Sequence, residues 1–206
     1  MKHKIHRQLV PHALTTLGIS ATITAMHLLW VGEYLVAMFF VLVAMLFDVL
    51  DGPIARRLGV VSRFGAYFDS VADTLLYLFT PVMLFFMLGY SSMLMWLACT
   101  TFVVFGIVRL VRYTQEGILD VHGKWYFVGM PVVWSVPLML CTAFAYLWNI
   151  YILELLLSAI LVTGAFLKVS TIRFERPRSP RTLIALLVLV KVLIALAYLY
   201  GNFTSI

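Results

Sequence analysis

Four of the nine acidic residues fall between positions 48 and 73, in stretches otherwise apolar enough for the interior of a bilayer. Asp48 and Asp51 are spaced i,i+3, and Asp69 and Asp73 i,i+4, so on helices each pair shares one face. A carboxylate well inside a membrane helix costs about 2.5–3.5 kcal/mol on insertion scales, and less near the interface. Four bare carboxylates brought together also repel one another, so the cluster calls for cations. A set of hard oxygen donors suits Mg²⁺, Mn²⁺ or Ca²⁺ rather than zinc. Two such ions about 3.5–4 Å apart, bridged by shared carboxylates, polarise a phosphate for in-line displacement. The plainer reading pairs each Asp with Arg56, Arg57 or Arg63 at the interface. It serves one Asp well and four at paired helical spacings poorly. Gly52 and Gly65 flank the cluster and remove side chains where backbone approaches a ligand, and Ala55 leaves room one turn beyond Asp51.

Membrane-crossing helices must position these residues. The chain of 206 residues is 63% hydrophobic and 12% charged, with mean hydropathy +1.02, whereas a soluble domain is about 45–50% apolar and about 25% charged. A crossing helix needs roughly 20 apolar residues. Gly, Pro and charge clusters delimit seven apolar stretches, 12–30, 34–56, 64–88, 92–113, 126–147, 150–169 and 182–200. None alternates with the period of a barrel strand, so all read as helices. The expectation is an all-α integral membrane protein, one polytopic domain over 1–206, with no appended soluble module and no nucleic-acid partner. Lys2, Lys4 and Arg7 precede the first stretch, but it is too long for a signal-peptide core and is expected to stay as a helix. Cys99 and Cys141 lie in apolar runs and indicate neither a disulfide framework nor a zinc site.

Cytoplasmic loops retain Lys and Arg. Of the 15 basic residues, all but Lys191 fall on one side of this arrangement, with the N-terminus, the Arg56–Arg57 loop, Lys124 and the run from Lys168 to Arg181. The opposite turns hold none. This places the N-terminus and the aspartates at the cytoplasmic face, in a bacterium that of the inner membrane. The net charge of +6 then belongs to that face, where membrane lipid headgroups or a phosphate-bearing substrate would meet it.

The pattern Asp48-x-x-Asp51-Gly52-x-x-Ala55-Arg56-x₈-Gly65-x-x-x-Asp69-x-x-x-Asp73 resembles the complete signature of the CDP-alcohol phosphotransferases. The resemblance extends over the whole chain and implies a six-helix core plus about one extra C-terminal helix. It implies transfer of a phosphatidyl-type group from a CDP-linked donor such as CDP-diacylglycerol to an alcohol, releasing CMP, with two divalent cations, Mg²⁺ or Mn²⁺. Asp48, Asp51, Asp69 and Asp73 become metal ligands, and Asp73 the general base. Gly52, Ala55, Arg56 and Gly65 become the cytidine-diphosphate cradle, and a homodimer is implied.

Three further stretches are similar to phosphatidylserine synthases within that family: Pro11-His12-Ala13-Leu14-Thr15, Arg109-Leu-Val-Arg112-Tyr113-Thr114 followed by Gly129-x-Pro131, and Val169-Ser-Thr-Ile-Arg173-Phe174. Together they favour serine as acceptor, although His12 and Thr114 each stand where that pattern carries Asn. Arg109, Arg112 and Arg173 suit an acceptor carboxylate or a donor phosphate, so glycerol 3-phosphate and inositol phosphate stay open, while choline would prefer an aromatic cage. The competing class, a cation transporter, requires carboxylates near the midplane and a path to both sides.

Overall fold

The computed structural model describes residues 2–116, 119–121, 124–147 and 153–175. Helix α1 (Lys2–Trp30) folds back through a short turn onto α2 (Tyr34–Arg57). The two helices pack along each other, and short side chains are buried on both, Ala21 and Ala25 on α1 and Ala37, Val41 and Ala44 on α2. Lipid removes the hydrophobic drive for helices to associate, so close backbone approach over small residues takes its place.

The third span, Arg63–Met87, is one rod in three parts: α3 (Arg63–Asp73), a π-helical turn (Thr74–Phe79) and α4 (Thr80–Met87). Ser62 caps its start by accepting the Gly65 N–H at 3.0 Å. The wide turn has a local cause in Pro81, which has no N–H to give the carbonyl four residues back. Both the backbone N–H and the hydroxyl of Thr80 reach instead to the Leu75 carbonyl, five residues back.

Helix α5 (Met93–Glu116) completes the set of four helices among the described residues that are long and apolar enough to cross a membrane, with Leu9–Trp30, Tyr34–Arg57 and Arg63–Met87. The protein is thus an integral membrane protein by the length and composition of these helices. Trp30, Phe39, Trp96, Leu155 and Phe166 project outward from the bundle, while Tyr77, Phe85, Met95, Met139 and Leu161 fill it.

The fifth expected stretch, 126–147, is corrected. Its first part is a strand, β2 (Lys124–Val128), which pairs antiparallel with β1 (Leu119–Val121) on one edge and β3 (Arg173–Glu175) on the other. A 3₁₀ turn (Val132–Trp134) follows, and helix α6 begins only at Ser135 and runs to Leu147. The reason lies at Gly129: its φ of +79° is open to glycine, and a Cβ there would collide with the Lys168 carbonyl. The fold is therefore helical with a small three-stranded sheet at one end rather than purely α. Helix α7 (Leu153–Val169) is close to the expected 150–169 and packs along α5. The seventh stretch, 182–200, lies outside the described residues.

Candidate active site

The C-terminal end of α2 supplies Asp48 and Asp51, and α3 supplies Asp69 and Asp73. Asp48, Asp69 and Asp73 converge, each offering a carboxylate oxygen within 4.8 Å of the other two. Among the described residues none of the three is held in a hydrogen-bonded ion pair with Lys or Arg; the cation whose field reaches Asp73 is Arg109, acting through space. Three hard, half-buried oxygen donors so close, without a protein cation between them, fit a divalent ion.

Asp51 stands outside that trio but within its electrostatic reach. It is buried, and Thr15 on α1 donates to its Oδ2 at 2.7 Å. A cavity of about 10 Å³, of the order of a single water, lies between Thr15, Thr22, Asp48 and Asp51. Helix α1 thus touches the site twice, since the His12 ring also meets the edges of Phe64 and Phe68 of α3, at 5.5 and 6.3 Å between centroids.

Two contacts were not visible as a motif. Tyr77, buried in the π-helical turn, donates to Asp48 Oδ2 at 2.6 Å. Ser70, next to Asp69, shares a hydrogen bond of 2.8 Å with Thr114 near the end of α5. The i,i+4,i+8 series Asp69, Asp73, Tyr77 was the available signal for the first; nothing local announces the second.

The residues expected to cradle a nucleotide lie at the end of α2 and the start of α3. The Arg56 guanidinium folds back over Gly52, where an added Cβ would lie 3.4 Å from Nη1. Gly65 sits against Ser62 and His12, with Oγ 3.2 Å and Cε1 3.4 Å from such a Cβ. Ala55 is half-buried and its carbonyl accepts the Val60 N–H at 3.0 Å.

The three other arginines separate. Arg109 is buried, its guanidinium over the rings of Tyr113 and Phe127. Arg112 is occupied by main chain: Nη1 donates to the Val169 carbonyl at 3.1 Å, and Nη2 faces those of Val128, Ser170 and Lys168 at 3.2, 3.2 and 3.4 Å. It ties the end of α7 to β2, a join reinforced by Gly129 N–H to Ile172 and Met130 N–H to Leu167. Arg173 is exposed on β3, paired in register with Val128, and no contact among the described residues links it to the aspartates.

Residues 8–170 match the family described as CDP-alcohol phosphatidyltransferase. The chain is 30% identical over 175 residues to the CDP-diacylglycerol–serine O-phosphatidyltransferase of Helicobacter pylori, covering 81% of this chain and 71% of that one. It is 34% identical over 133 residues to the protein of the same name from Methanocaldococcus jannaschii, with 65% and 60% covered. For the Mycobacterium bovis protein of that name the figures are 33% over 135 residues, with 62% and 46% covered. The chain therefore spans about half the length of the mycobacterial relative.

Proposed function

The chain belongs to the CDP-alcohol phosphatidyltransferase family, and from that premise we propose that it transfers a phosphatidyl group from CDP-diacylglycerol to the hydroxyl of serine, releasing CMP. The observation that carries the reaction class is the convergence of Asp48, Asp69 and Asp73 at the end of α2 that also bears Gly52 and Arg56. Serine is supported by the names of the similar proteins and by the Thr15, Arg109 and Arg173 stretches.

In this reading Asp48, Asp69 and Asp73 hold divalent cations, with Asp51 alongside. Mg²⁺ or Mn²⁺ bound there would draw charge from the donor pyrophosphate. Tyr77 and Thr15 fix the orientation of Asp48 and Asp51 through one hydrogen bond each. Arg56 meets a phosphate, and Gly52, Ala55 and Gly65 leave room for the nucleotide. Asp73 takes the proton of the acceptor hydroxyl as its oxygen bonds to phosphorus and the bond to CMP breaks. The acyl chains stay in lipid beside α2 and α3. The Lys and Arg distribution puts this end on the cytoplasmic side, and family membership extends the reading to a homodimer.

The test uses purified protein in detergent with CDP-diacylglycerol, Mn²⁺ and, in separate tubes, serine, glycerol 3-phosphate or inositol phosphate. CMP release with serine alone, abolished in Asp73→Asn, is expected. Release with another acceptor keeps the chemistry and replaces serine; release with none, despite bound metal, overturns the enzymatic reading in favour of ion transport.

A further inference from the structure

The third span meets α5 at three heights, and the contacts follow an antiparallel register. At one end Ser70 shares its 2.8 Å hydrogen bond with Thr114. Next along, Asp73 lies in the field of Arg109. At the other end Leu78, in the π-helical turn, enters a notch at Gly106. A Cβ on Gly106 would overlap Cδ2 of Leu78 and lie 2.7 Å from its Cδ1 and 3.1 Å from its Cγ. Gly106 and Leu78 are both buried, so those methyls have no open space to retreat into. Between the first and last contacts each helix advances by eight residues, about 12 Å at 1.5 Å per residue. Gly106, Arg109 and Leu110 belong to the buried face of α5, while Ile107, Val108 and Val111 turn outward.

The π-helical turn aims Leu78 at this face. Eight residues of plain α-helix would leave Leu78 about 80° off the direction of Ser70. The extra residue takes back up to about 100° and brings the two near one line. Where ionised, Asp69 and Asp73 repel Asp48 and press α3 away from α2, so contacts to a third helix must resist that push. Neither hydroxyl of the Ser70–Thr114 pair needs the other to be satisfied. Ser70 reaches the Ala66 carbonyl at 3.0 Å and Thr114 that of Leu110 at 2.9 Å, each within its own helix. What their bond adds is a tie between α3 and α5. Glycine inside a helix is less stable than alanine, and at Gly106 it gives close approach in exchange.

We infer that α5 sets the height and rotation at which the third span presents its carboxylates: Gly106, by seating Leu78, and Thr114, by holding Ser70, are positioning residues for Asp69 and Asp73. The inference rests on the reading of the aspartates as a metal site and deepens it. Tyr77, between Asp73 and Leu78, is brought to Asp48 by the same seam. Divalent-ion affinity depends on such supporting contacts, because carboxylates left free to move apart must be gathered again on binding.

The experiment measures the Mn²⁺ Kd of the full-length protein in detergent by electron paramagnetic resonance, without substrates, and thermal unfolding in EDTA. It compares wild type, Gly106→Ala, Leu78→Ala, the double variant Gly106→Ala/Leu78→Ala, Thr114→Val and Thr114→Ser. Gly106→Ala is expected to weaken Mn²⁺ binding about tenfold. The double variant should return to within about threefold of wild type, since Ala at 78 clears the space that Ala at 106 needs. Leu78→Ala alone opens a void, so it should unfold early in EDTA yet bind Mn²⁺ more tightly than Gly106→Ala. Thr114→Val should weaken binding about threefold, the effect of one neutral hydrogen bond, and Thr114→Ser should match wild type. A wild-type Kd in either Gly106→Ala or Thr114→Val overturns the inference, and Thr114→Val decides it if Gly106→Ala does not fold. Affinity that merely follows unfolding temperature across the set assigns these residues to packing and overturns it too. Wild type that binds neither Mn²⁺ nor Mg²⁺ defeats the metal reading itself, a different result from any of these.

Discussion

Tyr77 and Asp48 belong to different spans, yet the phenol donates a 2.6 Å hydrogen bond to the carboxylate oxygen Oδ2 from a fully buried position. One lone-pair direction of Asp48 is therefore fixed by the protein, and the rest of the group is turned toward Asp69 and Asp73. Removing such an orienting partner typically costs 10–100-fold in metal affinity or activity. Tyr77→Phe is expected to lower CMP release about tenfold at limiting Mn²⁺ and to recover at excess Mn²⁺. A metal titration of activity checks this; a loss that excess metal does not repair would assign Tyr77 to packing instead.

Thr15 plays the equivalent part for Asp51, at 2.7 Å. Thr15→Val keeps the shape and deletes the donor. A hydrogen bond to a charged group contributes about 1.5–3 kcal/mol, so the variant should unfold at lower temperature, while Thr15→Ser stays near wild type. Equal stability of all three would remove this bond from the account.

Arg112 holds the end of α7 against β2 through main-chain carbonyls. Arg112→Met should destabilise the protein by about 2–3 kcal/mol and speed hydrogen exchange at the Gly129 and Met130 amides, which donate into the same join. A raised serine KM with normal stability and normal exchange would make it a substrate residue instead.

Metal binding has a signature independent of turnover. A ligand at a hundredfold excess over its Kd stabilises the native state by about 2.7 kcal/mol. Mn²⁺ at that excess should raise the unfolding temperature of wild type, EDTA should reverse the gain, and Asp69→Asn should lose most of it. Wild type indifferent to Mn²⁺ and Mg²⁺ would count against a metal at the aspartate trio.

The aspartate cluster was legible because helical spacing alone brings Asp69 beside Asp73 and because charge is conspicuous in an apolar span. The four long helices were legible for the same reason. The strand Lys124–Val128 was not: Trp-Tyr-Phe-Val continues an apolar run, and only the pairing with β1 and β3 makes it a strand. Arg112 read as an anion binder because a guanidinium fork suits carboxylates, and main-chain carbonyls at a helix end suit it equally well. Lys168 counted among the charges of a cytoplasmic surface; its burial depends on Phe102, 66 positions away on another helix, a contact that sequence separation hides.

The π-helical turn Thr74–Phe79 has a consequence for how the third span can vary. Above it, the phase of the helix is set by Asp69 and Asp73 facing α2; below it, by Phe85 and Leu84 facing the bundle interior. A continuous α-helix would lock these two rotations together at 100° per residue. The wider turn absorbs one extra residue between them, so the aspartate-bearing half and the anchoring half are indexed separately. Deleting one residue between Asp73 and Tyr77 would close the turn to ordinary α-helix and leave both halves in phase, moving Tyr77 off Asp48, whereas apolar exchanges on the lipid side of α4 leave the carboxylates and their phenol where they are.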